Sequence, residues 1–120
     1  YILADRGYDV WMGNFRGNTY SRTHETLLTS DSKYWDFSWH EMGIYDLPAM
    51  IDRILAVTKE PKLYYLGHSQ GTTSFFVMMS EKPEYNDKII KFAAYAPMAY
   101  ASHVRSPLIK LFAKFSTPIY

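Results

Sequence analysis

Leu63-Tyr64-Tyr65-Leu66-Gly67-His68-Ser69-Gln70-Gly71-Thr72-Thr73 is the stretch on which the fold turns. Leu63 to Leu66 is apolar throughout and too short for a helix, which predicts a strand buried on both faces and ended abruptly by Gly67. Gln70 to Glu81 carries Phe75, Phe76, Met78 and Met79, with Pro83 just beyond, and reads as a helix. Between the two, Gly67, His68, Ser69, Gln70 and Gly71 spell Gly-x-Ser-x-Gly on a strand-to-helix turn. Such a turn is so tight that a side chain at 67 or 71 is expected to strike its neighbour, and the serine backbone is expected to be strained. The geometry lifts a serine hydroxyl clear of the sheet edge, which makes Ser69 the candidate nucleophile.

Working outward, Ile89 to Ala96 reads as a second buried strand. On the other side, Leu47, Met50, Ile51, Ile54 and Leu55 recur at helical spacing and make one buried stripe. Ser38 with Glu41 has the capping-box form and predicts a helix start there. Pro48 lacks an amide donor, so a kink is expected, or a restart with Asp46 as the cap. Asp9 to Met12 reads as a short strand, Gly13 to Tyr20 as a loop, and Tyr1 to Arg6 as the last turns of a helix stopped by Gly7. Strand, helix, strand, helix, strand predicts an α/β architecture: a mostly parallel sheet with helices on its faces. No internal repeat or domain linker interrupts it. Because the reading opens inside an element, the 120 residues are expected to be the central piece of a longer polypeptide.

Composition narrows the function classes. The chain is 48% hydrophobic with a net charge of +1, so nothing points to a nucleic-acid partner or a disordered tail. Its 11 Tyr, 7 Phe and 3 Trp suit burial in something larger or contact with lipid, as well as an ordinary core with a normal surface. With no cysteine there is neither a disulfide framework nor a thiolate metal site. No transmembrane-length apolar run and no targeting signal can be read in these residues.

The backbone amide of Gln70, one residue past the nucleophile and at the mouth of a helix, is the expected first donor of an oxyanion hole. The second donor is expected from a loop after an earlier strand. His68 precedes the serine in an extended strand, so its side chain should point away, in a packing or supporting role rather than as the base. Asp87 and His103 would complete a Ser-Asp-His order. Asp87, however, falls at the N-terminal edge of the sheet while Ser69 stands at the C-terminal edge, and no final strand precedes His103. His24 and His40 read as surface or loop anchors. No metal-ligand spacing is present and no cofactor is expected.

Three blocks in register carry a more specific resemblance. They are Gly7 to Gly13 (Gly-Tyr-Asp-Val-Trp-Met-Gly) followed by Asn14, Arg16, Gly17, Asn18, Tyr20 and Ser21; then Glu41, Met42, Tyr45, Asp46, Leu47, Pro48 and Ala49; then Gly-His-Ser-Gln-Gly-Thr-Thr at 67–73. Together they resemble the acid lipases of the α/β-hydrolase fold, which include gastric, lysosomal and insect lipases. His40 departs from the acidic residue usual in the second block.

The resemblance implies a serine ester hydrolase acting on neutral lipid esters, triacylglycerol or steryl ester, at a lipid–water interface through an acyl-enzyme on Ser69. It implies a secreted or lysosomal protein whose catalytic acid and histidine lie beyond Tyr120. It places the partial hydrolase core at residues 1–99 and the beginning of a cap or lid at 100–120, where Leu108, Ile109, Leu111, Phe112 and Phe115 have amphipathic spacing. Arg16, Gly17 and Asn18 resemble a loop supporting the site, although Arg16 alone reads equally as a solvated charge. The 120 residues by themselves are expected to be inactive. Two other readings share the elbow: a non-catalytic binding protein on the same fold, and an acyltransferase or other hydrolase.

Overall fold

The computed structural model describes residues 2–100 and 105–107. A short helix, α1 (Ile2–Asp5), is followed by a long loop with one 3-10 turn at Ser32–Trp35. Helix α2 (Trp39–Glu41) opens on the anticipated capping box. The Ser38 hydroxyl accepts the His40 amide, and the Glu41 carboxylate accepts the Ser38 amide at 2.7 Å. The chain then makes a π turn over Met42–Asp46 and continues directly into α3 (Leu47–Thr58). Asp46 is therefore not a cap: its backbone is right-handed helical and its side chain makes no capping bond. The wider π turn carries the helix up to Pro48, which sits in the first turn of α3 just after the Leu47 amide has bonded the Met42 carbonyl.

Strand β1 (Leu63–His68), helix α4 (Gln70–Glu81), a 3-10 turn (Pro83–Lys88) and strand β2 (Ile89–Tyr95) complete the described order. The two strands pair in parallel from Leu63 opposite Ile89 to His68 opposite Tyr95. Helix α4 occupies the anticipated residues, but β1 runs two residues past Leu66, because Gly67 and His68 pair with Ala94 and Tyr95. The break in the chain comes at Ser69, not at Gly67.

Two further expectations are corrected. Asp9 to Met12 forms no ladder, and the sheet has two strands among the described residues, since a strand exists only where a partner pairs with it. Among the described residues one face of the sheet is packed and the other meets little beyond the Tyr8 ring set edge-on to Tyr64. Leu63, Tyr65, Ile89 and Phe92 pack onto a core of Leu47, Ile51, Phe75, Met78 and Tyr85, while Tyr64 and Leu66 on the opposite face remain 56% and 55% exposed. The burial of β1 alternates because α3 and α4 lie on the same side of it.

Close approach of elements fixes where the elbow sits. Tyr65 stacks on Phe75 at 4.7 Å between centroids, and Phe75 on Phe92 at 3.9 Å, which ties β1, α4 and β2 together directly beneath the turn. A Cβ on Gly43 in the π turn would lie 2.6 Å from Val77 Cγ1 and 2.8 Å from the Ser74 carbonyl, so the absence of a side chain there lets the π turn rest on α4. Asp52 on α3 accepts the Tyr85 hydroxyl at 2.8 Å and Lys88 Nζ at 2.6 Å, pinning α3 to the turn before β2. Burial alone would raise the Asp52 pKa, but these two donors outweigh it and hold it below the ordinary value.

Candidate active site

Ser69 links the end of β1 to the start of α4 with φ 51° and ψ −115°. Left-handed φ is unfavourable for a residue with a Cβ, so the anticipated backbone strain is present at the serine itself. Its amide still closes the sheet ladder, donating to the Tyr95 carbonyl at 2.9 Å. Its carbonyl accepts the Thr72 amide at 2.8 Å and the Thr72 hydroxyl at 2.6 Å. Both backbone polar groups of a strained residue are thus held by neighbours on two different elements.

The two elbow glycines differ. A Cβ on Gly67 would lie 3.0 Å from Tyr65 Cε1 and 3.1 Å from the Gly71 carbonyl carbon and oxygen, and backbone cannot move aside as a flexible side chain can. At Gly71 the nearest atom would be the Tyr65 hydroxyl at 3.7 Å, an ordinary contact. The expectation that a side chain at either position strikes its neighbour therefore holds at 67 and is corrected at 71. Tyr65 touches both sites: its ring edge fills the space beside Gly67, and its hydroxyl donates to the Gly71 carbonyl at 3.0 Å. Burial pushes its phenol up to about 12, so it stays a neutral donor at all physiological pH.

Gln70 is the first residue of α4, and an amide at that position has no carbonyl within the helix to bond, so it is free to serve a ligand oxygen. The 12-residue helix behind it directs the positive end of its dipole to the same place, with no acidic side chain in the first turn to cancel it. The Gln70 side chain turns instead toward Met42, with Nε2 3.3 Å from the sulfur. His68 lies on the open face of β1 with Tyr64 and Leu66 and is exposed. Asp87 lies in the turn before β2, and six residues of parallel strand, about 20 Å at the usual rise, separate that end of the sheet from Ser69. His103 and the amphipathic residues from Leu108 onward lie outside the described residues, as does most of the expected cap at 100–120.

Around the elbow the structure adds residues that local pattern did not single out for the site. Thr72, fully buried, uses the oxygen that bonds the Ser69 carbonyl to accept the Met98 amide at 3.0 Å, and the Thr73 hydroxyl donates to the Met98 carbonyl at 2.6 Å. Arg16 is held by Asp46 through its backbone amide at 3.1 Å and its Nε at 2.8 Å, and its guanidinium lies over Phe37 and Tyr45. It is a fixed brace between the loop and the π turn rather than a solvated charge. His24 anchors its loop, with Nδ1 accepting the amides of Thr26 and Leu27. Among the described residues no group of three or more His, Asp or Glu is placed to hold a metal ion, and no helix is long and apolar enough to cross a membrane.

A two-stranded parallel ladder, a strained serine between strand and helix and the Gln70 amide at the helix mouth make a strand–serine–helix turn of the Gly-x-Ser-x-Gly form, and the chain belongs to the α/β-hydrolase fold family, which matches residues 1–117. Its relatives carry the names of lipases, in keeping with the acid-lipase blocks. It is 65% identical over 101 residues to Lipase 1 of Drosophila melanogaster, covering 84% of this chain and 23% of that protein. It is 56% identical over 113 residues to Lipase 3 of the same fly, covering 94% of this chain and 29% of that protein. It is 51% identical over 111 residues to human lysosomal acid lipase/cholesteryl ester hydrolase, covering 92% of this chain and 28% of that protein. The chain spans about a quarter of the length of the curated relatives it matches.

Proposed function

We propose that Ser69 is the nucleophile of a serine ester hydrolase whose substrates are neutral lipid esters, and that the 120 residues form the nucleophile-bearing part of a longer enzyme. The observation that carries this reading is the strained backbone of Ser69 at the junction of β1 and α4. Left-handed strain at a serine persists where surrounding bonds hold it, and here it presents the hydroxyl at the C-terminal edge of a parallel sheet, the edge where ligands bind in α/β folds. The Ser69 oxygen attacks the ester carbonyl as a histidine elsewhere in the polypeptide takes its proton. The oxygen of the former carbonyl then gathers negative charge beside the Gln70 amide and the positive end of α4. Collapse expels the alcohol and leaves an acyl group on Ser69, which water removes. One such amide donor typically stabilises the transition state by about 3 kcal/mol.

The names of the relatives support the substrate class, since one is a cholesteryl ester hydrolase and the others are lipases. We place the protein in a secreted or lysosomal setting on the same ground, acting where lipid meets water, with residues 1–99 in the hydrolase core and 100–120 leading into a cap. In the complete polypeptide, Ser69→Ala is expected to leave folding intact and to lower turnover of a short-chain chromogenic ester by several orders of magnitude, because the covalent step is lost. Retained turnover in that variant would falsify the assignment. An intact Ser69 with no esterase activity in the parent would favour the non-catalytic reading instead.

A further inference from the structure

We propose that Thr72 is a positioning residue for the reaction: its hydroxyl joins the carbonyl of Ser69 to the segment after β2 and so sets the angle at which the nucleophile is presented. The inference rests on the reading of Ser69 as nucleophile. Two turns meet at this edge of the sheet, and each contains a residue with a Cβ in left-handed backbone, Ser69 at φ 51° and Ala96 at φ 47°. They are joined by the bond from the Ser69 amide to the Tyr95 carbonyl. That bond lies at the end of the β1–β2 ladder, beyond which, among the described residues, no strand pairing keeps the two turns from hinging.

The threonines remove the hinge. Thr72 Oγ1 gives its one proton to the Ser69 carbonyl at 2.6 Å and accepts the Met98 amide at 3.0 Å. Thr73 Oγ1 gives its proton to the Met98 carbonyl at 2.6 Å. Both polar groups of the Met98 backbone are thereby clipped to the first turn of α4, and the Ser69 carbonyl is tied to the same clip. Thr72 is completely buried, so water cannot substitute for the lost partner. Strained dihedrals survive only when surrounding contacts over-determine them, and these three bonds supply the excess constraint on the nucleophile side and on the Ala96 side together. Releasing the clip lets Ser69 relax, which moves its hydroxyl and the adjoining Gln70 amide relative to the ester. A displacement of that kind lowers the rate of the chemical step more than it weakens substrate binding.

The test uses the complete polypeptide with Thr72→Val, which keeps the shape and removes the hydroxyl, and Thr72→Ser, which keeps the hydroxyl and removes the methyl. kcat is normalised to active sites titrated with a fluorophosphonate, so that loss of folded enzyme does not count. Thr72→Val is expected to lower kcat about ten- to a hundredfold with KM within about twofold, and Thr72→Ser to recover to within a few-fold of the parent. A parent-like kcat in Thr72→Val, or Thr72→Ser falling as far as Thr72→Val, would overturn the proposal. Where Thr72→Val yields no folded protein, the half-exposed Thr73→Val serves: it loses only the Met98 carbonyl bond and is expected to lower kcat several-fold at constant KM, and an unchanged kcat defeats the clip. Ser69→Ala is run alongside; activity surviving there counts against the nucleophile reading itself, independently of the threonine variants.

Discussion

Ser69 is held at a backbone conformation that costs about 1–3 kcal/mol for a residue with a Cβ, and the neighbours that hold it can be named: Tyr95 at its amide and Thr72 at its carbonyl. Gly67 does not adopt left-handed backbone. It is glycine for lack of room, since a Cβ there would press on the Gly71 carbonyl at 3.1 Å. Gly67→Ala in the complete polypeptide is therefore expected to destabilise the fold by about 1–3 kcal/mol and to depress turnover, while Gly71→Ala, whose Cβ meets only the Tyr65 hydroxyl at 3.7 Å, should be much milder. Urea unfolding and ester turnover of the two variants check this asymmetry; equal damage at both positions would mean the elbow is tighter at 71 than the geometry indicates. The motif alone treats the two glycines alike, because a pattern states which residues occur and not what stands opposite them. The strained backbone of Ser69 and the place of Gln70 at the start of α4 were legible because both follow from position in the turn. Thr72 and Thr73 were legible only as part of a family block, because their partner Met98 lies about two dozen residues away in sequence.

Among the elements, those specified locally were read most closely. Helix α4 has the anticipated limits because the turn fixes its start and Pro83 follows its end, and the Ser38–Glu41 box forms as the four residues dictate. Ser38→Ala is expected to cost about 1 kcal/mol of stability, since it removes the oxygen that accepts the His40 amide. Glu41 adds a pH signature. The Ser38 amide is the main influence lowering its pKa, partly opposed by burial, and a depressed carboxylate pKa means stability present above the unfolded value of 4.5 and lost as pH falls through the folded value. The stability gap between the parent and Glu41→Gln should thus be open at pH 7 and close on acidification below about 4.5, by urea unfolding at several pH values. A gap that widens with acid would contradict the capping role. Elements that depend on distant partners were less legible. Asp9 to Met12 has strand-like residues but nothing to pair with among the described residues, and Asp46, a plausible cap by sequence, is taken by Arg16 thirty positions earlier.

At the scale of the whole molecule, the sheet has, among the described residues, one packed face and one bearing Tyr64, Leu66 and Tyr95, all more than half exposed. A parallel sheet is ordinarily covered on both sides, and these residues match about a quarter of the length of each relative. The elbow itself is assembled within the chain from β1, α4 and β2. Among the described residues none is hydrogen-bonded to the Ser69 hydroxyl as a base would be, and on the proposed reading these 120 residues alone are expected to be silent. The decisive measurement is to treat the complete polypeptide and the isolated 120-residue chain with a fluorophosphonate and to locate the adduct by peptide mass spectrometry. The account predicts a single rapid adduct on Ser69 in the complete polypeptide and none at a comparable rate in the isolated chain. Rapid labelling of the complete polypeptide at another residue, with Ser69 unmodified, would contradict it.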